Sequence, residues 1–117
     1  MTLTATFDWP PKALSPNARG HWSKRAKAVK GYRKDCMILA LMQKLNVYWE
    51  GEIHLHMAFS PPDNRRRDDD NMIASCKALR DGLADALGID DSRFRLHSAV
   101  LPSRKGGAVV VVLSRGV

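Results

Sequence analysis

Residues 52–59 read EIHLHMAF, and apolar and polar side chains alternate along this stretch. In an extended chain, successive side chains point to opposite faces of a sheet. One face of the segment is therefore apolar, whereas the other carries His54 and His56. The pattern predicts a β-strand that covers a core on one side, and further elements are predicted before and after it along the chain.

Two elements are predicted before this strand. Apolar residues alternate with polar ones over residues 3–9, which indicates a first strand that Pro10 and Pro11 end. After a polar loop, Ser23 is suited to cap a helix over residues 24–45. The second half of this helix is apolar on more than one side, which predicts a second burial surface between two subunits. The apolar residues there are Met37, Ile38, Leu41, Met42 and Leu45.

Three elements are predicted after it. Apolar residues at spacings of four, three, four and four indicate a second amphipathic helix that ends at Gly88. They are Met72, Cys76, Leu79, Leu83 and Leu87. Residues 93–101 and 108–113 predict two further strands, and Lys105-Gly106-Gly107 predicts a hairpin turn between them.

The predicted order is strand, helix, strand, helix, strand, strand. This order indicates an α+β fold with two layers, in which two helices cover one face of a mixed four-stranded sheet. A length of 117 residues is suited to one domain, here predicted over residues 1–117.

The composition favours a soluble protein with an anionic partner. The formal net charge is +7, and nucleic acid is the commonest partner of a basic domain. No stretch approaches the roughly 20 apolar residues that cross a membrane, so no membrane partner is expected. Residues 1–7 lack the basic start and apolar block of a secretory signal, and a cytoplasmic location is expected.

The histidines and cysteines do not form a recognisable metal site in the sequence. Cys36 and Cys76 stand far apart on apolar helix faces, which predicts buried small hydrophobic residues. His54 and His56 would present two imidazoles from one strand face, but no third ligand is near them along the chain. Surface histidines are therefore the favoured interpretation.

Residues 64–71, NRRRDDDN, place the densest acidic run directly after three arginines. Two carboxylates about 4 Å apart repel by roughly 4 kcal/mol at an effective dielectric near 20, and a hard divalent cation removes that cost. In an extended segment Asp68 and Asp70 point one way and Asp69 the other. Asp68 and Asp70 are thus predicted to bind Mg²⁺, with Mn²⁺ as a substitute. For Asp70 alone, a helix N-cap is the alternative.

Two further groups are predicted to join this site. Asp91, in the step Asp90-Asp91, can face the pair if the third strand returns beside the second, and three carboxylates would then support metal-dependent phosphodiester hydrolysis. Lys77 lies on the same side of the predicted helix as Asp70 and would contact the scissile phosphate. The alternative for Lys77 is a surface ion pair with Asp81, four residues later.

Basic side chains beside the aspartates are predicted to contact the DNA backbone, although a merely solvated charge run is the alternative. The predicted contacts are the arginine triplet, the basic start of the first helix and one turn lysine. They are Arg65, Arg66, Arg67, Lys24, Arg25, Lys27 and Lys105.

Residues 65–71, RRRDDDN, together with the later residues 88–91, GIDD, resemble the RusA family of Holliday junction resolvases. The hallmark of that family is an arginine-rich RDxDN box and a later pair of aspartates. Residues 9–11 with a nearby Asn17 resemble the family's opening PPSxN segment, and residues 105–107 resemble its KGG turn.

The resemblance implies a homodimeric endonuclease, often encoded in prophages, that acts in DNA recombination and repair. Such an enzyme resolves four-way DNA junctions by paired symmetric nicks and uses Mg²⁺. The resemblance assigns metal binding to Asp68, Asp70 and Asp91. The family's functional lysine lies four residues after the second box aspartate, where this chain has Ala74, and Lys77 is the nearest candidate to replace it.

Two other functions stay open. One is a non-catalytic, basic DNA-binding dimer whose acidic cluster only caps a helix and balances charge. The other is a metal-dependent nuclease for flaps, forks or structured RNA, which the lack of an obvious aromatic platform for single strands disfavours. Residues 17–22, which end in His21 and Trp22, are a candidate contact with the DNA junction.

Overall fold

A computed structural model describes residues 2–45 and 49–115 of the chain. It has four strands, three helices and two short 3₁₀ turns at Lys12–Leu14 and Asp91–Arg93. In chain order the strands and helices are β1 (Thr2–Phe7), α1 (Trp22–Met42), β2 (Ile53–Ser60), α2 (Asp69–Ser75), α3 (Lys77–Leu87), β3 (Phe94–Val100) and β4 (Ala108–Arg115).

The four strands form one mixed sheet in the order β1-β4-β2-β3. β4 lies between β1 and β2 and is antiparallel to both, whereas β2 and β3 run parallel. The predicted α+β class with a mixed four-stranded sheet is confirmed. A β4 rich in valine, between two neighbours, is typical of a central strand.

The predicted hairpin between the last two strands is wrong, because β3 and β4 are not neighbours. The connection crosses the end of β2 instead. The Leu101 N–H donates to the carbonyl of Phe59 at 2.8 Å, and the Arg104 N–H donates to that of Pro61 at 2.9 Å. Gly106 then turns the chain at a φ of 81°, in the left-handed region that glycine adopts without strain.

The second predicted helix is divided in two, so three helices are present where two were predicted. Cys76 has a φ of −100° and a ψ of 12° and separates α2 from α3. The Ser75 hydroxyl donates to the carbonyl of Asn71 at 2.8 Å. Such a bond to the carbonyl four residues earlier bends helices, and a regular apolar spacing does not reveal it.

The core lies between the helices and the apolar face of β2. Buried residues of α1 and α3 pack in one cluster with Leu55, Met57 and Phe59 of the strand. The two cysteines are buried in it as predicted, and both are free thiols among the described residues. The opposite face of β2 carries His54 and His56 away from the helices. No helix within the described ranges is long and apolar enough to cross a membrane.

Helices α1 and α3 approach closely at Gly82. A β-carbon at this position would lie 2.5 Å from the backbone oxygen of Arg33 and 3.0 Å from the β-carbon of Cys36. One turn further on, Arg33 forms two hydrogen bonds with the carboxylate of Asp85, at 2.7 and 2.9 Å. The two helices are therefore fixed against each other by packing and by a two-pronged ion pair.

Candidate functional site

The aspartates of the box begin helix α2. Asp68 is its N-cap residue, with an extended backbone, and its Oδ1 accepts the Asp70 N–H at 2.8 Å. Asp69 and Asp70 occupy the first turn, where carboxylates are favoured by unpaired N–H groups and the helix dipole. The alternative that Asp70 is the cap is therefore wrong, because Asp68 has that role. The hydrogen bond places the side chain of Asp68 next to the backbone of Asp70.

The three arginines of the box have different surroundings. The Nη1 atom of Arg67 lies 3.0 Å from Asp63 Oδ1 and also donates to the carbonyls of Asp63 and Arg65, so this side chain is only 15% exposed. The Arg67 guanidinium and the Arg65 N–H hold the pKa of the Asp63 carboxyl below its usual range. Arg67 thus fastens the loop before α2, whereas Arg65 and Arg66 are exposed to solvent.

A cleft of about 510 Å³ lies beside these residues, and we call it the box cleft. The loop after β1, the loop before α2 and α2 itself all contribute to its walls. Its lining includes Trp9, Lys12, Asn17, Arg65, Arg66 and Asp68. One acidic group of the box therefore lines a space together with four cationic side chains, those of Lys12, Arg65, Arg66 and Arg67.

Asp91 lies in a different part of the molecule. It begins the 3₁₀ turn before β3, and its Oδ2 is 3.7 Å from Arg80 Nη2. Asp68 follows the C-terminal end of β2, and the parallel partner β3 starts beside Ile53 at the N-terminal end. The paired segment spans roughly 20 Å, at about 3.3 Å per residue. The third strand returns beside the second as predicted, but its direction places Asp91 toward the other end.

Asp90, the neighbour of Asp91, has a local structural contact. Its Oδ1 accepts the Ser92 N–H at 2.8 Å, and this bond holds the pKa of the Asp90 carboxyl below its usual range. Asp90 therefore caps the turn. The other aspartate of the pair, Asp91, contacts the cationic side chain of Arg80.

Lys77 forms the surface ion pair that was the alternative for it. Its Nζ lies 3.3 Å from Asp81 Oδ2, and its side chain is 71% exposed. The predicted alignment of Lys77 with Asp70 required one continuous helix, and the break at Cys76 interrupts that helix. Sequence reasoning missed Arg80, whose Nη2 is near Asp91 and whose Nε is buried without a hydrogen-bond partner. No spacing rule distinguishes this arginine from a surface residue.

The remaining predicted DNA contacts are mostly exposed. Lys24 and Lys27 lie on the solvent side of α1, and Lys105 lies in the turn before β4. Arg25 has a local role, because its Nη1 donates to the carbonyls of Ala13 and Ser15 at 3.1 and 3.0 Å.

A third histidine joins His54 and His56 on the open face of the sheet. His97 of β3 is in register with His56, and their rings stack at a centroid distance of 4.5 Å and an angle of 14°. His54 Nδ1 lies 2.9 Å from His97 Nε2. A third histidine that is distant along the chain therefore lies beside the two histidines of β2.

The rings of the stacked histidines are nearly parallel, so the lone pairs of their ring nitrogens lie in parallel planes. These lone pairs are therefore not directed at one point, as ligands of a single metal ion would be. Loss of hydration, followed by the neighbouring His97 and His54, holds the pKa of His56 below its usual range. Within residues 2–45 and 49–115, no group of three or more histidine, cysteine, aspartate and glutamate side chains is arranged to hold a metal ion. This also applies to the three predicted aspartate ligands.

The molecule is thus an α+β domain with an aspartate-bearing cleft that is rich in arginine and lysine. No family model matches the chain. Over 113 residues it is 46% identical to an uncharacterized protein of Xylella fastidiosa strain Temecula1, and the alignment covers 93% of this chain and 74% of that protein. The chain belongs to the same family as this protein, which has no assigned activity.

Proposed function

We propose that the protein is a homodimeric, Mg²⁺-dependent endonuclease that cuts branched DNA, in the manner of the RusA-family resolvases that its box resembles. The observation that carries the proposal is the box cleft, which Asp68 lines together with Lys12, Arg65 and Arg66. A carboxylate among cations that bind phosphates would repel those phosphates, and a divalent metal ion between them would remove this repulsion.

The donor chemistry of the box suits a hard divalent cation. Asp68 lines the box cleft and Asp70 follows it in the first turn of α2, so this part of the chain offers carboxylate oxygens without competing thiolates. Mg²⁺ is commonly held by one or two carboxylates together with water and substrate phosphates, so a preassembled trio is not required. In this proposal Asp68 and Asp70 hold the ion, and Asp91 contributes from a second protomer or after rearrangement.

The side chains of the cleft have distinct tasks in the proposed reaction. Arg65, Arg66 and Lys12 bind the phosphates on either side of the scissile bond and so fix the strand against the aspartates. When bound, Mg²⁺ would act as a Lewis acid and would lower the pKa of a water molecule there. Arg67 keeps the loop in place through Asp63. Lys77, paired with Asp81, has no part in this arrangement.

The substrate is assigned to branched DNA because a resolvase-like dimer presents two clefts. Two symmetric cuts need two equivalent sites, and a two-fold dimer supplies them. The exposed apolar side chains of α1, Leu41 and Met42, offer a surface for such a dimer.

A labelled four-way junction and a matched linear duplex, each with Mg²⁺ or with EDTA, test the proposal. We expect paired junction-specific nicks by the wild type with Mg²⁺ and their loss in Asp70→Asn. Asp69→Asn is the matched control, since it removes the same charge from the same helical turn and is predicted to retain cutting. Equal cutting by Asp70→Asn and the wild type would contradict the proposal.

One observation favours a second function, a non-catalytic DNA-binding dimer. Asp68 makes the hydrogen bond of an ordinary helix cap, and such a residue needs no metal ion. This function predicts tight junction binding without nicks under any metal. Asp70→Asn would then alter stability alone.

A further inference from the structure

Trp22 is an exposed aromatic side chain at the first residue of α1. Its side chain is 75% exposed, whereas the described residues Trp9 and Trp49 are largely covered. An indole in solvent leaves a large, flat apolar face free for a stacking partner. The surroundings of Trp22, rather than its exposure alone, indicate what kind of ligand binds there.

Trp22 borders a second cleft of about 610 Å³, which we call the tryptophan cleft. Its charged lining is cationic, and no acidic residue of the described chain is among the residues that line it. The cationic side chains are Lys12, Arg19, Lys24 and Arg25. A flat aromatic face next to four positive charges matches the two parts of a nucleotide, a base and a phosphate.

Local hydrogen bonds hold this cleft in shape. Arg25 ties α1 to the carbonyls of Ala13 and Ser15. His21 caps α1, since its Nδ1 accepts the Ser23 N–H at 3.2 Å. The His21 ring lies beside that of Trp22 at a centroid distance of 5.5 Å and an angle of 33°. The indole is thus supported on one side, which lowers the entropic cost of binding.

We propose that Trp22 stacks on an unpaired base of a DNA strand while Arg19 and Lys24 bind the neighbouring phosphates. This inference rests on the proposed endonuclease function, because that function supplies the branched DNA that the site would bind. Lys12 and Ala18 line both clefts. A strand that crosses them places an unpaired nucleotide beside the phosphates at Asp68. The protein therefore recognises an opened base next to the cut.

Binding of an end-labelled oligodeoxythymidine, measured by fluorescence anisotropy in EDTA, tests the stacking role without any cleavage. We expect Trp22→Ala to weaken binding by roughly 5- to 100-fold, the range of losses for one base–aromatic stack. Trp22→Phe keeps an aromatic face and should retain most of the affinity. Val100→Ala, at the end of the edge strand β3, is the control for loss of an exposed apolar side chain and should bind as the wild type does.

An abasic strand of equal length separates stacking from charge. The wild type should bind it more weakly than oligodeoxythymidine, and Trp22→Ala should bind both equally. Unchanged affinity in Trp22→Ala would overturn the inference, as would an equal loss for both strands. A changed mass in light scattering with unchanged affinity would also overturn it, because a second copy would then cover Trp22.

Failure of this inference is distinct from failure of the endonuclease function. If nicking depends on Asp70 but single-strand binding does not depend on Trp22, the stacking role is wrong and the endonuclease function stands. Trp22-dependent binding without any nicking would remove the endonuclease function and leave the base-binding site.

Discussion

Gly82 marks the closest approach of α1 and α3. A β-carbon there meets the backbone oxygen of Arg33 at 2.5 Å, and a helix backbone cannot move aside cheaply. We expect Gly82→Ala to lower the free energy of unfolding by about 1–3 kcal/mol, the usual cost of overpacking. Urea denaturation monitored by circular dichroism measures the change.

Gly31 provides the control for this substitution. It lies within α1, exposed, and no atom beyond its own helix lies within 4 Å of a β-carbon built there. Gly31→Ala should therefore raise the free energy of unfolding by about 0.5–1 kcal/mol through helix propensity. A stabilising Gly82→Ala would show that the two helices are further apart than described.

Asp68 combines a cap with a proposed metal ligand, and two substitutions separate the roles. Asp68→Ala removes the acceptor for the Asp70 N–H and should destabilise the protein by about 1 kcal/mol. Asp68→Asn keeps a capping oxygen and should preserve stability while losing metal-dependent nicking. Thermal unfolding beside the junction assay checks both. Equal stability of all three proteins would mean that the cap contributes nothing.

The sequence predicted which residue types the site holds but not how each is used. Arg65, Arg66 and Arg67 are equivalent in the sequence, and only the loop geometry assigns Arg67 to Asp63. The contact between Arg80 and Asp91 joins two segments whose relative position depends on tertiary packing. Local spacing rules reach about one helical turn, and the contact between Arg80 and Asp91 lies beyond that range. The contact between Asp63 and Arg67 spans only four residues, but it forms in a loop, where the helical spacing rule does not apply.

At the scale of elements, the four strands and the first helix were predictable because their patterns are local, whereas the break between α2 and α3 was not. Residues 52–59 alternate, and they form β2. The pairing of strands was not predictable in the same way. A parallel β2 and β3 needs a long crossover, which α2 and α3 supply, whereas a glycine turn only suggests that the chain reverses. The direction of β3 then decided where Asp91 lies.

The histidines of β2 and β3 predict a stability that depends on pH. The pKa of His56 is lowered in the folded protein, so protonation favours the unfolded chain. His56 therefore stabilises the fold least at low pH, and stability should fall as the pH decreases through the usual imidazole range near 6.5. Nearby charged or titratable groups are His54, His97, Glu52 and Arg95.

Thermal unfolding at about pH 7.5 and about pH 5.5 measures this effect, since acidic side chains stay largely ionised over that interval. We expect a lower Tm at the acidic value and a smaller difference between the two values in His56→Gln. His21→Asn is the control, because it removes a histidine outside this group while retaining a capping side chain. An unchanged difference in His56→Gln would remove His56 as the cause.

For the whole molecule, the arrangement of charge is more informative than its sum. The net charge of +7 predicts an anionic partner but not where it binds. The structure groups cations around the box cleft and the tryptophan cleft, which meet at Lys12. This contiguity arises because the loop after β1 contributes to both clefts. The two clefts bring together segments that are far apart in the sequence, and no local sequence pattern predicts that they meet.

The apolar end of α1 predicts association of two molecules. Ala40 faces the core, whereas Leu41 is 46% and Met42 is 72% exposed. Buried apolar area favours association by about 25 cal/mol per Å², and a charge placed within such an interface loses hydration without gaining a partner. We therefore expect the wild type to be a dimer at micromolar concentration and Leu41→Glu to be a monomer of 13.1 kDa.

Light scattering coupled to size-exclusion chromatography measures both masses. Ala26→Glu is the matched control, because it adds the same charge to an exposed position in the first half of α1 and should leave the dimer intact. If Leu41→Glu is a monomer that keeps the circular dichroism of the wild type, junction nicking should change from paired cuts to slow, unpaired ones, since one protomer carries one box cleft. A wild type that is already monomeric would instead require both cuts to come from separate encounters with the DNA.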